Sequence, residues 1–354
     1  MPDVVLPVHV NVHRFSCESP FRLTSRVAGE DVFFDANVPL ADNAEGLLSC
    51  FLLPAMSVRR PLECAEPICS QWRRNAAKAA SLMGQWWCME AGVVAAPDRR
   101  AGTSRSGVGL FFTAGVDSFH SLFANAAVVT HLINVEGFDI RLDDGGRLQS
   151  AARQIDAIAR EFGIPIIRVR TNLRQHALFA SVSWERTHGA ALACVAHLLT
   201  NTLGCVLVAS SDVPGPHGSH PELDPLWSSS LLEVTHDSPG IRRLRKVVDL
   251  AKHEIVQTHV KVCWENRAES LNCGGCEKCL RTRLQFLVSG VAHLPVFPEV
   301  PLVDGIRELR RVAPHLHSQW YDIAQQVSDP VLSAAIWSML VRSTLSGQRL
   351  VADP

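Results

Sequence analysis

From residue 108 to about 210 the sequence alternates short apolar runs with amphipathic stretches of helical length, and that alternation leaves the chain few architectures. Residues 108–112, 128–135, 164–169 and 205–210 have the length and apolar content of buried strands. Residues 117–127, 148–162 and 187–203 carry apolar side chains at helical spacing, the second stretch closed by Gly163 with Pro165 just beyond. Strands separated by helices of this length predict an α/β fold, a parallel sheet with helices on both faces. Ligands of such sheets sit beyond the carboxyl ends of the strands. The loops to watch are therefore 113–118, 136–139, 171–175 and 211–230.

The first of these loops is the most informative. An apolar strand over 108–112 runs into Thr113, Ala114, Gly115 and Val116, then into Asp117 and Ser118, both good helix N-caps, with Phe119, Leu122 and Phe123 following at helical spacing. A strand, a small-residue turn and a helix start aim backbone N–H groups and the positive end of a helix at one spot, which suits an anion such as phosphate. Ala114 is expected to avoid positive φ, because its methyl group disfavours that region.

Bulk composition bounds the rest. The chain has 354 residues, 47% of them hydrophobic and 19% charged, with a formal net charge of −1. That is a globular, enzyme-like composition, with no electrostatic drive toward nucleic acid, so nucleic acid is not expected as a partner. No apolar run reaches the length of a membrane span, and the chain reads as cytoplasmic with no membrane partner. Eleven cysteines in such a setting point to metal or catalysis ahead of disulfides.

Residues 1–107 read as a separate, mainly β piece of unknown role. Short alternating strands are expected over 7–15, 21–27 and 31–34, with a hairpin turn over 28–31, a buried apolar stretch over 47–56, a helix over 69–89 and a polar linker over 97–107. Residues 108–302 read as the α/β domain, and 303–354 as a helical tail.

Cys263, Cys273, Cys276 and Cys279 give the second strong signal. C-x2-C-x2-C with a fourth cysteine ten residues upstream suits four thiolates closing a tetrahedral Zn2+ site, with Gly274 and Gly275 allowing a tight turn; an iron–sulfur cluster is the rival. The loop 211–230 has four prolines before Trp227 and reads as a substrate-binding lid, with Ser219, His220, Asp224 and Trp227 as contacts and His220 as a proton carrier. His217, His220, Glu222 and Asp224 form a weaker metal set. Asn172, Arg174 and His188 lie in or beside neighbouring loops and join the substrate list. Residues 240–252 are basic; of these, Lys246 is taken as a catalytic candidate beside Asp117, Ser118 and His220.

The run Thr113-Ala114-Gly115-Val116-Asp117-Ser118 resembles the Ser-Gly-Gly-x-Asp-Ser signature of the PP-loop ATP pyrophosphatases, departing from it at Thr113 and Ala114. The cysteine pattern followed by Leu280-Arg281, with Lys252, Glu254 and Ile255 upstream, resembles the 7-cyano-7-deazaguanine synthase group of that family. The resemblance spans residues 108 to about 290. It implies a HUP-type sheet, cleavage of ATP to AMP and pyrophosphate, Mg2+, and a bracing Zn2+. ATP would contact Thr113, Ala114, Gly115, Val116, Asp117, Ser118, Val135 and Gly137. The expected activity is adenylation of a carbonyl or carboxylate oxygen on a small purine-like or heterocyclic metabolite. That oxygen is then replaced by nitrogen (a ligase) or sulfur (a sulfurtransferase), from ammonia or from a sulfur-carrying or amidotransferase protein. A homodimer is compatible with this. Two other classes stay open: a nucleotide-binding regulator with a degenerate loop, and a zinc-braced RNA-binding or RNA-modifying protein.

Overall fold

The computed structural model describes residues 9–90, 92–99, 102–267 and 269–349. Parts of three expected stretches, at 7–8, 100–101 and 350–354, lie outside them. The N-terminal part supplies β1 (Val10–Val12), β2 (Ser16–Ser19), β3 (Arg22–Val27), β4 (Glu30–Ala36), α1 (Ala44–Ser57), β5 (Leu62–Cys64), β6 (Ile68–Cys69), α2 (Ser70–Trp87), β7 (Val94–Ala95) and β8 (Asp98–Arg99). The alternating part follows as β9 (Gly107–Phe111), α3 (Val116–Asn125), β10 (His131–Glu136), α4 (Gly145–Phe162), β11 (Ile166–Thr171), α5 (Ala177–Ala180), α6 (Trp184–Leu198), β12 (Leu203–Ala209) and β13 (Glu233–Asp237). Helices α7 (Arg243–Leu250), α8 (Glu254–His259), α9 (Glu277–Val288), α10 (Leu302–Glu308), α11 (His317–Ala324) and α12 (Pro330–Arg349) complete the chain.

Eleven strands form one mixed sheet in the order β13-β12-β9-β10-β11-β4-β3-β1-β5-β7, with β2 paired on β3. The run from β13 to β11 is parallel throughout. Numbered one to five along the chain, these parallel strands lie 3-2-1-4-5. The connections therefore depart from β9 in opposite directions, which opens a crevice at its carboxyl end.

The sheet is not parallel to its far edge. β4 pairs antiparallel to β11, with Ala36 opposite Val169 and Phe34 opposite Thr171, so the N-terminal strands extend the same sheet. Between them and β9, Arg99 of the expected linker is hydrogen-bonded into the fold, to Glu45 at 2.7 Å and Asn43 at 2.7 Å. The apolar stretch at 47–56 is the middle of α1, a helix buried on almost every side and continuing through Pro54.

Period-two alternation divides the parallel strands between two cores. Phe111, Ile133 and Val206 face the layer of α1, α2 and α6. Leu110, Phe112, Leu132 and Leu207 face α3, α4, α7, α8 and the start of α9. Phe119 of α3 is fully buried with its ring edge-on to Phe112 at 5.2 Å, a burial that contributes roughly 2–3 kcal/mol and fixes α3 against β9. Gly109 leaves room at the sheet centre, since a Cβ there would lie 2.6 Å from Ile133 Cδ1. The C-terminal helices α10, α11 and α12 build a third core against Leu280 and Leu284 of α9. Among the described residues no helix is long and apolar enough to cross a membrane.

Candidate functional site

The turn between β9 and α3 is held from outside itself. Ala114 sits at φ +58°, against the expectation that its methyl group keeps it out of the left-handed region. A non-glycine residue there costs about 1–2 kcal/mol, and the Lys261 N–H donating to Ala114 O at 2.9 Å helps to hold it. The N-cap is Gly115, two residues before the expected Asp117, so α3 begins at Val116 with Asp117 in its first turn. The N–H groups of Val116, Asp117 and Ser118 therefore lack intrahelical acceptors. The Thr113 and Ser118 hydroxyl oxygens flank Gly115, at 3.4 and 3.9 Å from where its Cβ would stand, and Ser118 Oγ donates to Gly115 O at 3.0 Å.

Beside this turn, at the carboxyl ends of β9, β10 and β12, lies a cavity of about 250 Å3. Thr113, Gly115, Val116, Asp117 and Ser118 line it, with apolar walls from Ile133, Val135, Phe138, Trp184, Leu192 and Trp264. Three cations reach it: Arg243 from α7, Lys261 from the segment after α8, and Lys278 from α9. Lys261 and Lys278 have no carboxylate within 4.0 Å among the described residues. Burial, then the neighbouring Arg243, lowers the Lys278 pKa.

Asp117 is committed elsewhere. Its two oxygens meet Arg243 Nη1 at 2.7 Å and Lys246 Nζ at 3.1 Å. Burial alone would raise its pKa; Arg243 and Lys246 outweigh that and hold it below the usual carboxylate value. Lys246 is fully buried and also donates to Ser210 O and Oγ, at 2.6 and 3.0 Å. It is a post beneath the loop, where the sequence suggested a catalytic residue. Asp139, which the sequence placed only within a loop, is the lining carboxylate with no ion-pair partner within 4.0 Å among the described residues. Four cations, Arg243, Lys246, Lys261 and Lys278, thus surround two carboxylates, Asp117 and Asp139.

The remaining expected ATP and substrate residues divide. Val135, His188 and Ser219 line the cavity. Gly137 does not; it turns the chain at φ +100°, where a Cβ would stand 2.1 Å from Thr171 O. Asn172 staples the N-terminal hairpin, accepting from Phe33 N at 2.9 Å and donating to Asp31 O at 3.0 Å. Arg174 backs the wall, its guanidinium 4.5 Å from the Trp184 ring and hydrogen-bonded to Phe138 O.

The 211–230 segment is folded down as structure and does not stand over the cavity as a lid. Trp227 is fully buried, and His197 Nε2 donates to its carbonyl at 2.8 Å. Asp224 is 1% exposed and accepts from Ser219 Oγ at 2.6 Å and His236 Nδ1 at 2.7 Å. His220 packs edge-on against Trp86, 4.9 Å between ring centres, away from the cavity. His217 lies against His188 at 4.8 Å, and burial, then that neighbour, lowers its pKa to about 4. Prolines and apolar anchors sit on a mobile lid and a packed strap alike, so composition could not separate them.

Among the described residues one group can hold a metal ion, and it is Cys263, Cys273, Cys276 and Cys279, not the His217–Asp224 set. The four Sγ atoms lie within 4.8 Å of one another; Cys263–Cys276 and Cys273–Cys279 are each 3.9 Å. Thiolates about 2.3 Å from one tetrahedral ion stand about 3.8 Å apart, so the donor set fits. Cys276 N and Cys279 N donate to Cys273 Sγ and Cys276 Sγ at 3.3 and 3.4 Å, and Gly274 turns the chain at φ +74°. Asn272 clamps the upstream ligand, its Oδ1 accepting from Val262 N and Cys263 N at 2.8 and 3.2 Å. Cys263 also lines the cavity, so the two sites share a wall. The sequence missed Lys261 and Lys278 because one lies just before and the other inside a cysteine motif whose spacing accounts for itself.

Compared with family models, curated proteins and solved structures, the chain returns no match in any of the three.

Proposed function

We propose that this chain is an ATP-dependent adenylating enzyme of the PP-loop ATP pyrophosphatase kind, on a HUP-type sheet. The observation that carries the reading is the pair of unpaired lysines, Lys261 and Lys278, facing the 113–118 turn in a cavity at the strand-order reversal. Cations that line a cavity without carboxylate partners suit a ligand with several negative charges. A triphosphate meets that need: first-turn N–H groups, Lys261, Lys278 and Arg243 hold it, and the adenosine lies against Ile133, Val135 and Phe138. An oxygen of the acceptor attacks the α-phosphorus, the bond to the β-phosphate oxygen breaks, and pyrophosphate leaves into the cationic turn. AMP stays on the acceptor carbon until nitrogen or sulfur displaces it. Asp139 is the residue for Mg2+, which would screen the phosphate charge. Zn2+ fits the four cysteines as a closed structural site.

The acceptor is a small heterocyclic metabolite bearing a carbonyl or carboxylate. The test is calorimetric titration of pyrophosphate and ATP into wild type, Lys261→Met and Lys278→Met, followed by pyrophosphate release over a panel of heteroaromatic acceptors. Losing a charged hydrogen bond worth about 1.5–3 kcal/mol should weaken pyrophosphate binding by about 10- to 100-fold in each variant. Unchanged affinity in both removes the anion site. A nucleotide-binding regulator without turnover is the second reading, favoured by the capture of Asp117 between Arg243 and Lys246. Tight ATP binding with no pyrophosphate from any acceptor supports it.

A further inference from the structure

Ser219 and His188 both line the cavity, and the protein fixes the direction of both side chains' protons. Ser219 Oγ donates its only proton to Asp224 Oδ2, a buried carboxylate that also takes the His236 Nδ1 proton. Its lone pairs are what remain for a ligand. His188 Nδ1 lies 3.2 Å from Trp184 O, and a carbonyl only accepts, so the ring proton is on Nδ1 and Nε2 is a bare acceptor. Burial lowers the His188 pKa, which favours the neutral ring, against the opposing pull of Asp224 and Asp139; His217 stands beside it.

We propose that Ser219 Oγ and His188 Nε2 form an acceptor pair that receives an N–H nucleophile, ammonia or a primary amine, with His188 Nε2 taking its proton. This rests on the adenylation reading and selects nitrogen over sulfur as the attacking atom. Nitrogen bonds to the adenylated carbon, the carbon–oxygen bond to AMP breaks with its electron pair going to the phosphate oxygen, and one N–H proton passes to His188 Nε2. A thiolate or persulfide anion brings lone pairs to lone pairs, next to the buried Asp224 carboxylate. Among the described residues the cavity's one lining cysteine is Cys263, a member of the metal set, so no other thiol stands ready to carry sulfur.

Two measurements test this on the full-length protein. In long-range proton–nitrogen spectra of histidine-labelled protein at pH 6.5, with His188→Gln for assignment, His188 should be neutral with its proton on Nδ1. A cation, or a proton on Nε2, overturns the proposal whether or not any acceptor is known. On an acceptor that releases pyrophosphate, ammonium chloride should give product and sodium hydrosulfide at least tenfold less. His188→Gln should cut the amide formed per pyrophosphate released by about 100-fold, the lower end for a lost general base. Equal product from hydrosulfide, or an unchanged ratio in the variant, overturns it. Absence of pyrophosphate on every acceptor instead counts against the adenylation reading, while the spectra still decide the polarity of the pair.

Discussion

Replacing Asp117 by Asn should damage stability first. The carboxylate is 24% exposed on its side chain, but its partners Arg243 and Lys246 are 5% and 0% exposed. Removing one partner of a buried pair costs about 3–5 kcal/mol, because the remaining charge stays buried without compensation. The low end, about 3 kcal/mol, applies here: Asp117 is partly hydrated, and Lys246 keeps its bonds to Ser210 O and Oγ at 2.6 and 3.0 Å. With an unfolding entropy of about 2.1 cal/mol/K per residue, a chain of 354 residues has about 0.7 kcal/mol/K, so the loss is a drop of about 4 °C in Tm. The pH dependence has a definite sign. The folded-state pKa of Asp117 is depressed, so its stabilisation is full above the unfolded value of about 3.9 and fades as pH falls through the lower folded value. The gap between wild type and Asp117→Asn should therefore be full at neutral pH and narrow below about pH 4. Saturating pyrophosphate should recover more Tm in the variant than in wild type, because the anion supplies the missing charge. Thermal unfolding followed by circular dichroism, across pH and with and without pyrophosphate, measures all three. A neutral-pH Tm within about 1 °C of wild type would refute the buried-charge reasoning.

Two further substitutions probe the frame of the site. Cys276→Ser should release most of a tightly bound metal ion and lower solubility or Tm, since a closed thiolate site contributes folding free energy directly; metal analysis showing wild-type content in the variant argues against a four-cysteine site. Gly137→Ala should cost about 3 kcal/mol or more, combining a left-handed backbone with a Cβ at 2.1 Å from Thr171 O, and denaturant titration showing a loss under about 1 kcal/mol would mean the turn yields.

What the sequence disclosed was local. The β9–turn–α3 element and the four cysteines are each written within a few turns of chain, and spacing alone brings their functional atoms together. The alternation after residue 107 likewise gave four of the five parallel strands, because each helix packs on the strands beside it; β13 follows the long 211–230 segment with no α-helix between it and β12 and was not expected. The antiparallel pairing of β4 with β11 joins residues more than 130 apart, and no periodicity encodes a partner at that distance. Asp117 shows the same limit: as an N-cap type it fits the start of α3, yet its role is decided by Arg243 and Lys246 on α7. Ala114 was misread for a related reason. Its intrinsic preference excludes positive φ, but the hydrogen bond from Lys261 and full burial override a cost of one or two kcal/mol. His220 and Trp227 were chosen for chemical character within a polar loop, and packing put both to structural use.

The four-cysteine cluster and the proposed anion site are mechanically one object. Lys261 lies two residues before Cys263, and its backbone N–H holds the Ala114 carbonyl; Lys278 lies between Cys276 and Cys279 on the first turn of α9. A metal ion joining the cysteines fixes the distance between those two lysines, while Asn272 ties the same segment to Val260 O and Val296 O at 2.8 and 3.2 Å. From the other side, Glu277 pairs with Arg281 at 2.7 Å and accepts from Trp320 Nε1 at 2.8 Å, and Arg281 passes the link through Gln319 to Asp212 O. The C-terminal helices thereby close over the cations that face the turn. Like charges repel, and covalent spacing, the cysteine cluster and this network hold Arg243, Lys278 and Arg281 close together. On the proposed reading, a multiply charged anion would relieve that repulsion, and its affinity would then depend on how rigidly the cysteines and the C-terminal helices keep the lysines in place.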